Sequence, residues 1–199
     1  YFEQLLKRKE AQFDWAKFTW VGSPEQLYQV LYMRSDTPYK SLEDIRKTAE
    51  PPRCGARGTG TAGHYIPKLL EEGLGLKFNV VAGYPGGGDV ALAIERGEVH
   101  CHAISTSWIF GREQSRNWLK TGFIRVLVQA HSKRDPRLSD VPTIYELMEK
   151  HKTPDAIRRL TKVLLAPEEL GRPILGPPGI PSDRVKILRE AYNKSLEDP

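Results

Sequence analysis

The sequence predicts an α/β fold built on a doubly wound parallel sheet, and three observations predict it. Between residues 53 and 130, short strand-like runs alternate with helical stretches, the pattern of βαβ units with right-handed crossovers. Three of those runs end in loops rich in glycine or hydroxyls: Gly55-Ala56-Arg57-Gly58-Thr59-Gly60-Thr61, Gly83-Tyr84-Pro85-Gly86-Gly87-Gly88-Asp89 and Ser105-Thr106-Ser107-Trp108. In open α/β sheets such loops converge outside the carboxyl ends of the strands, where ligands bind. Finally, Gly73, Gly75, Gly97 and Gly122 stand where helices should stop, as a left-handed cap requires.

In chain order, residues 1–10 read as a charged, partly amphipathic helix, followed by Phe13, Trp15, Phe18 and Trp20 as core residues. Residues 26–33 are apolar and aromatic, bounded by Pro24 and by Ser35-Asp36-Thr37-Pro38, and read as a half-buried strand. Ser41 with Asp44 three positions on forms a capping box for a helix to about residue 49, ended by Pro51-Pro52. Then come strand 53–56, helix 64–72, strand 77–82, helix 90–96, strand 99–104, helix 109–120 and strand 125–130. Pro67 should make the first of these helices start late or bend, because proline lacks a donor and biases its predecessor away from helix. Thr143 and Glu146 form a second capping box, and residues 160–166 read as a strand or a helix end. Pro173, Pro177-Pro178-Gly179 and Pro181 break the chain before an amphipathic helix at 183–196, capped by Ser182.

At 199 residues with 39% apolar and 28% charged content, the chain reads as a soluble globular protein. No run approaches the roughly 18 apolar residues of a membrane span, so direct membrane insertion is not expected. The net charge of +5 is spread among acids, as in Lys7-Arg8-Lys9-Glu10, which describes a solvated surface rather than a nucleic-acid face. The chain opens on Tyr1-Phe2-Glu3-Gln4, without Met or a signal peptide, and is read as a mature or truncated piece. Cys54 and Cys101 fall in strands expected to be parallel neighbours, so a disulfide and two free thiols both stay open.

Gly58-x-Gly60-x-x-Gly63 follows a strand and opens a helix, matching the dinucleotide fingerprint. That fingerprint also needs an acid near the end of the second strand to hold a ribose hydroxyl, and residues 77–82 lead into Gly83-Tyr84-Pro85 instead. What survives is an anion site of backbone N–H groups and a helix N-terminus, helped by the Thr59 and Thr61 hydroxyls, which suits a carboxylate as well as a phosphate. The plain alternative is a glycine turn with Thr61 as helix cap. Asp89 reads more readily as a cap of the next helix than as a ligand contact, and Tyr84 either offers its hydroxyl or packs. His100 and His102 should share one strand face with Cys101 on the other, so the three cannot close on one metal ion. No metal, cofactor or catalytic triad is expected; Ser105, Thr106 and Ser107 lack a glycine elbow.

The order Ser41-Leu42-x-Asp44-Ile45, Cys54-Gly55 with the Gly58-x-Gly60 loop and His64, Gly83-Tyr84-x-Gly86-Gly87, then Ala91-Leu92 and Arg96-Gly97-Glu98-Val99 closely resembles the substrate-binding receptors of tripartite tricarboxylate transporters, the Bug receptors. Arg125-Val126-Leu127-Val128, Lys133-Arg134, Asp140-Val141-Pro142-Thr143 and Pro177-Pro178-Gly179-Ile180-Pro181 continue the likeness. The resemblance implies a periplasmic-binding-protein-like (type II) two-lobe fold. Residues 35–130 would be the second, ligand-binding lobe with a complete parallel sheet and the hinge strand. Residues 1–34 and 131–199 would be a partial first lobe, N-terminally truncated relative to the family, and 29–33 and 125–130 would be the crossing strands. It implies a periplasmic, non-enzymatic receptor that captures a small carboxylate and delivers it to a membrane permease. Position by position, the ligand contacts would be Arg57, Gly58, Thr59, Gly60, Thr61, Tyr84, Ser105, Thr106 and Ser107. Arg57 and His100 depart from the family, which commonly has a small polar residue and Asp there. The alternative is a Rossmann-like nucleotide-dependent enzyme.

Overall fold

A computed structural model of the chain describes residues 2–5 and 7–197, and two compact units make it up: Tyr28–Ala166, and Tyr1–Leu27 together with Pro167–Pro199. Of the helix expected at 1–10, Phe2–Leu5 is helical (α1); Tyr1 and Leu6 lie outside the described residues, as do Asp198 and Pro199 at the other end.

In the larger unit, strands β2 (Gln29–Arg34), β3 (Arg53–Ala56), β4 (Asn79–Ala82), β5 (Cys101–Ser105) and β6 (Ile124–Ala130) form one sheet in the order β4-β3-β5-β2-β6. β3 pairs in parallel with β4, from Arg53 opposite Asn79 to Ala56 opposite Ala82, and with β5 through Cys54 opposite Cys101. β2 instead runs antiparallel to both its neighbours, Gln29 facing Ser105 on one side and Ala130 on the other. The sheet is therefore mixed, a correction to the fully parallel sheet expected. Apolar patterning identifies a strand without giving its direction, and residues 35–52 connect β2 to β3 without making them neighbours. The larger unit takes in more than residues 35–130. β2 is hydrogen-bonded along both edges inside this sheet, and residues beyond Ala130 stay with it, since Gln129 N–H donates to Pro142 C=O at 3.0 Å.

Alternation along β2 builds both cores. Leu31 and Met33 join Ile45, Ile66, Leu70, Ile144 and Met148 on one side, while Val30 and Tyr32 join Val90, Ile94, Ile109 and Trp118 on the other. The first cluster is covered by α2 (Leu42–Lys47), α3 (Ala62–Leu74) and α7 (Ile144–Lys150), the second by α4 (Gly87–Glu95), α5 (Thr106–Gly111) and α6 (Glu113–Lys120). Both expected capping boxes are present, Ser41 with Asp44 and Thr143 with Glu146. α3 begins at Ala62, earlier than expected, and runs through buried Pro67. As the sixth helical residue, Pro67 forfeits only the bond to Gly63 C=O. Gly75 ends the helix at φ 66°, its N–H reaching Glu71 and Leu70 carbonyls, a conformation open to glycine without a Cβ penalty. The single helix expected at 109–120 is two, separated by extended Arg112.

In the smaller unit, β1 (Thr19–Gly22) pairs antiparallel with β7 (Ile174–Gly176), and α9 (Ser182–Glu197) donates from Arg189 to Trp20 C=O at 3.0 and 2.7 Å. The expected aromatic core is only half-formed: Trp15 packs edge-on to Trp20 at 5.5 Å, yet Phe13 stays 40% exposed. Residues 160–166 are helical within α8 (Asp155–Leu170). Among the described residues, no helix is long and apolar enough to cross a membrane.

Candidate functional site

The site is built by strand order. β4, β3 and β5 are adjacent and parallel, so the loops at 57–61, 83–86 and 105–107 leave the same edge of the sheet, where α3, α4 and α5 begin. Ser105 itself is the last residue of β5 and the N-cap of α5.

The α3 loop is held by its own turn. Thr61 donates its N–H and its hydroxyl to Gly58 C=O, at 3.1 and 2.8 Å. The hydroxyl is thereby committed to the loop, and Thr61 occupies the N-cap position without a side-chain cap bond. No acidic residue stands in the first turn of α3, whereas Asp89 lies in the first turn of α4. The positive end of the α3 dipole therefore has no acidic side chain in its own first turn. Asp89 is the third residue of α4, and Gly86 takes the N-cap position where Asp89 was expected. A Cβ added at Gly58 or Gly60 would meet nothing within 4 Å, and neither glycine has positive φ. Protein packing does not require them, and their openness leaves the backbone accessible. Gly63 differs: a Cβ there would lie 2.8 Å from Gly55 O and 2.9 Å from the His102 ring. It is the close-packing glycine of the motif.

Arg57 and Thr59 are exposed on this loop. Tyr84 is half-buried, with its ring against Gly55; burial raises its pKa, and Glu98 adds to that. Ser105 Oγ accepts from Trp108 N–H at 3.4 Å and lies 3.0 Å from Ser107 Oγ. Thr106 is 4% exposed, its N–H donating to Tyr28 C=O at 2.7 Å. Arg57 to Thr61 and Ser105 with Ser107 therefore present groups at the edge, while Thr106 is buried and Tyr84 packs back over β3.

His102 is the residue that sequence reasoning missed. Its Nδ1 donates to Gly55 C=O at 2.7 Å, its ring meets Tyr32 edge-on at 6.0 Å, and burial lowers its pKa to about 4. It holds β3 just before the loop at 57–61. The His100 ring, just before β5, accepts from Arg53 N–H at 3.2 Å and is half-buried, whereas the His102 ring is 4% exposed. Among the described residues no His, Cys, Asp and Glu cluster fits a metal. Cys54 and Cys101, both fully buried, are joined by a disulfide between β3 and β5. Tyr28 and His131 stack at 3.7 Å beyond the ends of β2 and β6. Residues 29–33 and 125–130 were expected as crossing strands, but no sequence signal singled out the two rings that stack beyond them.

A mixed α/β sheet flanked by helices, with glycine and hydroxyl loops at one edge, is the layout of an α/β ligand-binding domain. The family model described as tripartite tricarboxylate transporter family receptor matches residues 12–199, and the chain belongs to that family. Among solved structures it is similar to the periplasmic binding protein BugD, at 21% identity and TM-score 0.63 over 92% of this chain and 55% of that one. It is similar to MatC from Rhodopseudomonas palustris with bound malate, at 20% identity and TM-score 0.58, over 92% and 56% of the two chains. It is also similar to R. palustris Rpa4515 with adipate, at 22% identity and TM-score 0.55, over 93% and 70%. The chain thus spans a little over half the length of BugD and of MatC. No curated protein matches it.

Proposed function

We propose that this chain is the ligand-holding part of a periplasmic solute-binding receptor, which captures a small carboxylate and hands it to the membrane permease of a tripartite tricarboxylate transporter. The observation that carries this reading is the α3 N-terminus, which has an uncapped first turn free of acids, two glycines that packing does not require, and exposed Arg57 beside it. Backbone N–H groups and one guanidinium suit a carboxylate. The malate and adipate of the two R. palustris structures support the ligand class. In this reading the Tyr28–Ala166 unit is the second lobe, the smaller unit is part of the first, and no reaction is catalysed. The Rossmann-like enzyme keeps the glycine spacing, with Gly63 in the packing role, but has no acid at the end of β4 to hold a ribose.

Calorimetric titration with malate, adipate, succinate, citrate and NAD, on the protein at its natural length, tests this. Binding of one or more carboxylates and none of NAD is expected. Binding of NAD alone would replace this reading with the enzyme.

A further inference from the structure

Away from the loop edge, the larger unit carries a second concavity of about 460 Å³, within the size range of small-molecule sites. It opens beside β6, the outermost strand of the sheet, between α2, α7 and residues 140–142. Its floor is apolar: Leu74, Leu127 and Leu147 are 6%, 9% and 9% exposed, with half-buried Leu42 and Val126 beside them. Its mouth is lined by Lys40, Arg46, Lys150 and His151 against Glu43 and Asp140.

Arg46 organises that mouth. Its Nη1 pairs with Glu43 at 3.1 Å, its Nη2 donates to His151 Nδ1 at 3.3 Å, and its Nε is buried with no hydrogen-bond partner among the described residues. The His151 pKa is lowered by desolvation and then by the charges of Arg46 and Lys150, against the opposing pull of Glu43. On the rim the cations Lys40, Arg46 and Lys150 face two acids, Glu43 and Asp140, so its formal balance is positive. An apolar floor under a cationic rim selects a ligand that is apolar along its body and anionic at one end.

We propose that this groove binds an amphipathic organic anion of the medium-chain carboxylate class. The hydrocarbon lies over Leu74, Leu127 and Leu147, and the carboxylate faces Lys40, Arg46 and Lys150. The groove shares no residue with the loop edge, so the proposal stands apart from the reading of that edge.

The test is an amide-resolved magnetic resonance titration of the isotope-labelled protein with octanoate, octylamine and malate. Octanoate is expected to shift the amides of Leu42, Leu74, Leu127 and Leu147, and octylamine to leave them in place. Reversing two exposed charges in the double variant Lys40→Glu with Lys150→Glu should weaken octanoate by about tenfold or more. The neutral pair Lys40→Gln with Lys150→Gln should give a smaller loss in the same direction. An octanoate response confined to residues 57–61, an equal response to octylamine, or undiminished binding in both double variants would overturn the proposal. Malate has no hydrocarbon body to lie on the groove floor, so amide shifts with malate at residues 57–61 would bear on the receptor reading alone, and an absence of them would leave the groove result standing.

Discussion

His102 donates its Nδ1 hydrogen to the carbonyl of Gly55 at 2.7 Å, and the same ring lies where a side chain at Gly63 would have to go. One buried imidazole therefore ties β5 to β3 and fixes how closely the first turn of α3 approaches them. The loop at 57–61 is strung between those two glycines.

That ring makes stability depend on pH. In the folded protein burial holds the His102 pKa at about 4, whereas in the unfolded chain the imidazole takes up a proton below its model value of 6.5. The stabilisation is complete above the unfolded value and is lost as pH falls toward the folded one, by about 3 kcal/mol in all. Urea unfolding at a series of pH values should resolve this slope, and His102→Gln should flatten that part of it. Parallel slopes for the two proteins would show that His102 does not carry it.

Cys54 and Cys101 enclose a long segment, at a sequence separation of 47, so their bond restricts the unfolded chain strongly. Replacing both by Ala should cost about 2–4 kcal/mol, read as a lower guanidinium midpoint. Alkylation without reductant, followed by mass spectrometry, should label neither thiol in the parent protein.

The three glycines of the Gly58-x-Gly60-x-x-Gly63 motif should separate into two kinds. Gly63→Ala puts a methyl against Gly55 O and the His102 ring and should destabilise by about 1–3 kcal/mol, as overpacking does. Gly60→Val projects into open space and should leave the melting temperature nearly unchanged while reducing carboxylate affinity. A Gly60→Val protein that melts early and binds normally would reverse the two roles.

Arg57 should act on binding alone. Its exposed side chain leaves stability nearly untouched on truncation, and Arg57→Ala should weaken a carboxylate by about 1.5–3 kcal/mol, the range for hydrogen bonds to charged groups. Calorimetry on the natural-length protein decides; an unchanged dissociation constant removes Arg57 from the site.

Local signals were legible and long-range ones were not. Ser41 with Asp44, Thr143 with Glu146, and the left-handed glycines at 75, 97 and 122 are fixed by residues a few positions apart, so the sequence displays them. The strand at 53–56 was legible because prolines and glycines bracket it. The direction and place of β2, the hydrogen bond from His102 to Gly55 and the stack of Tyr28 on His131 join residues far apart in the chain, and no spacing rule encodes them. The loop at 57–61 was legible as an open glycine turn at a helix start, while the burial of Thr106 and the backward packing of Tyr84 depend on neighbours brought in by the sheet. The break between α5 and α6 falls at Gly111-Arg112, a local signal that the reading of one helix over 109–120 passed over.

The central position of β2 has a kinetic meaning. It is the earliest-made strand of its sheet, yet both strands that seal its edges, β5 and β6, are synthesised long after it. Until they arrive, the strand Gln29–Arg34, largely buried in the finished fold, has no partner on either side. Such non-local pairing slows folding, and it postpones closure of the sheet until most of the chain has been made, on whichever side of a membrane the chain folds.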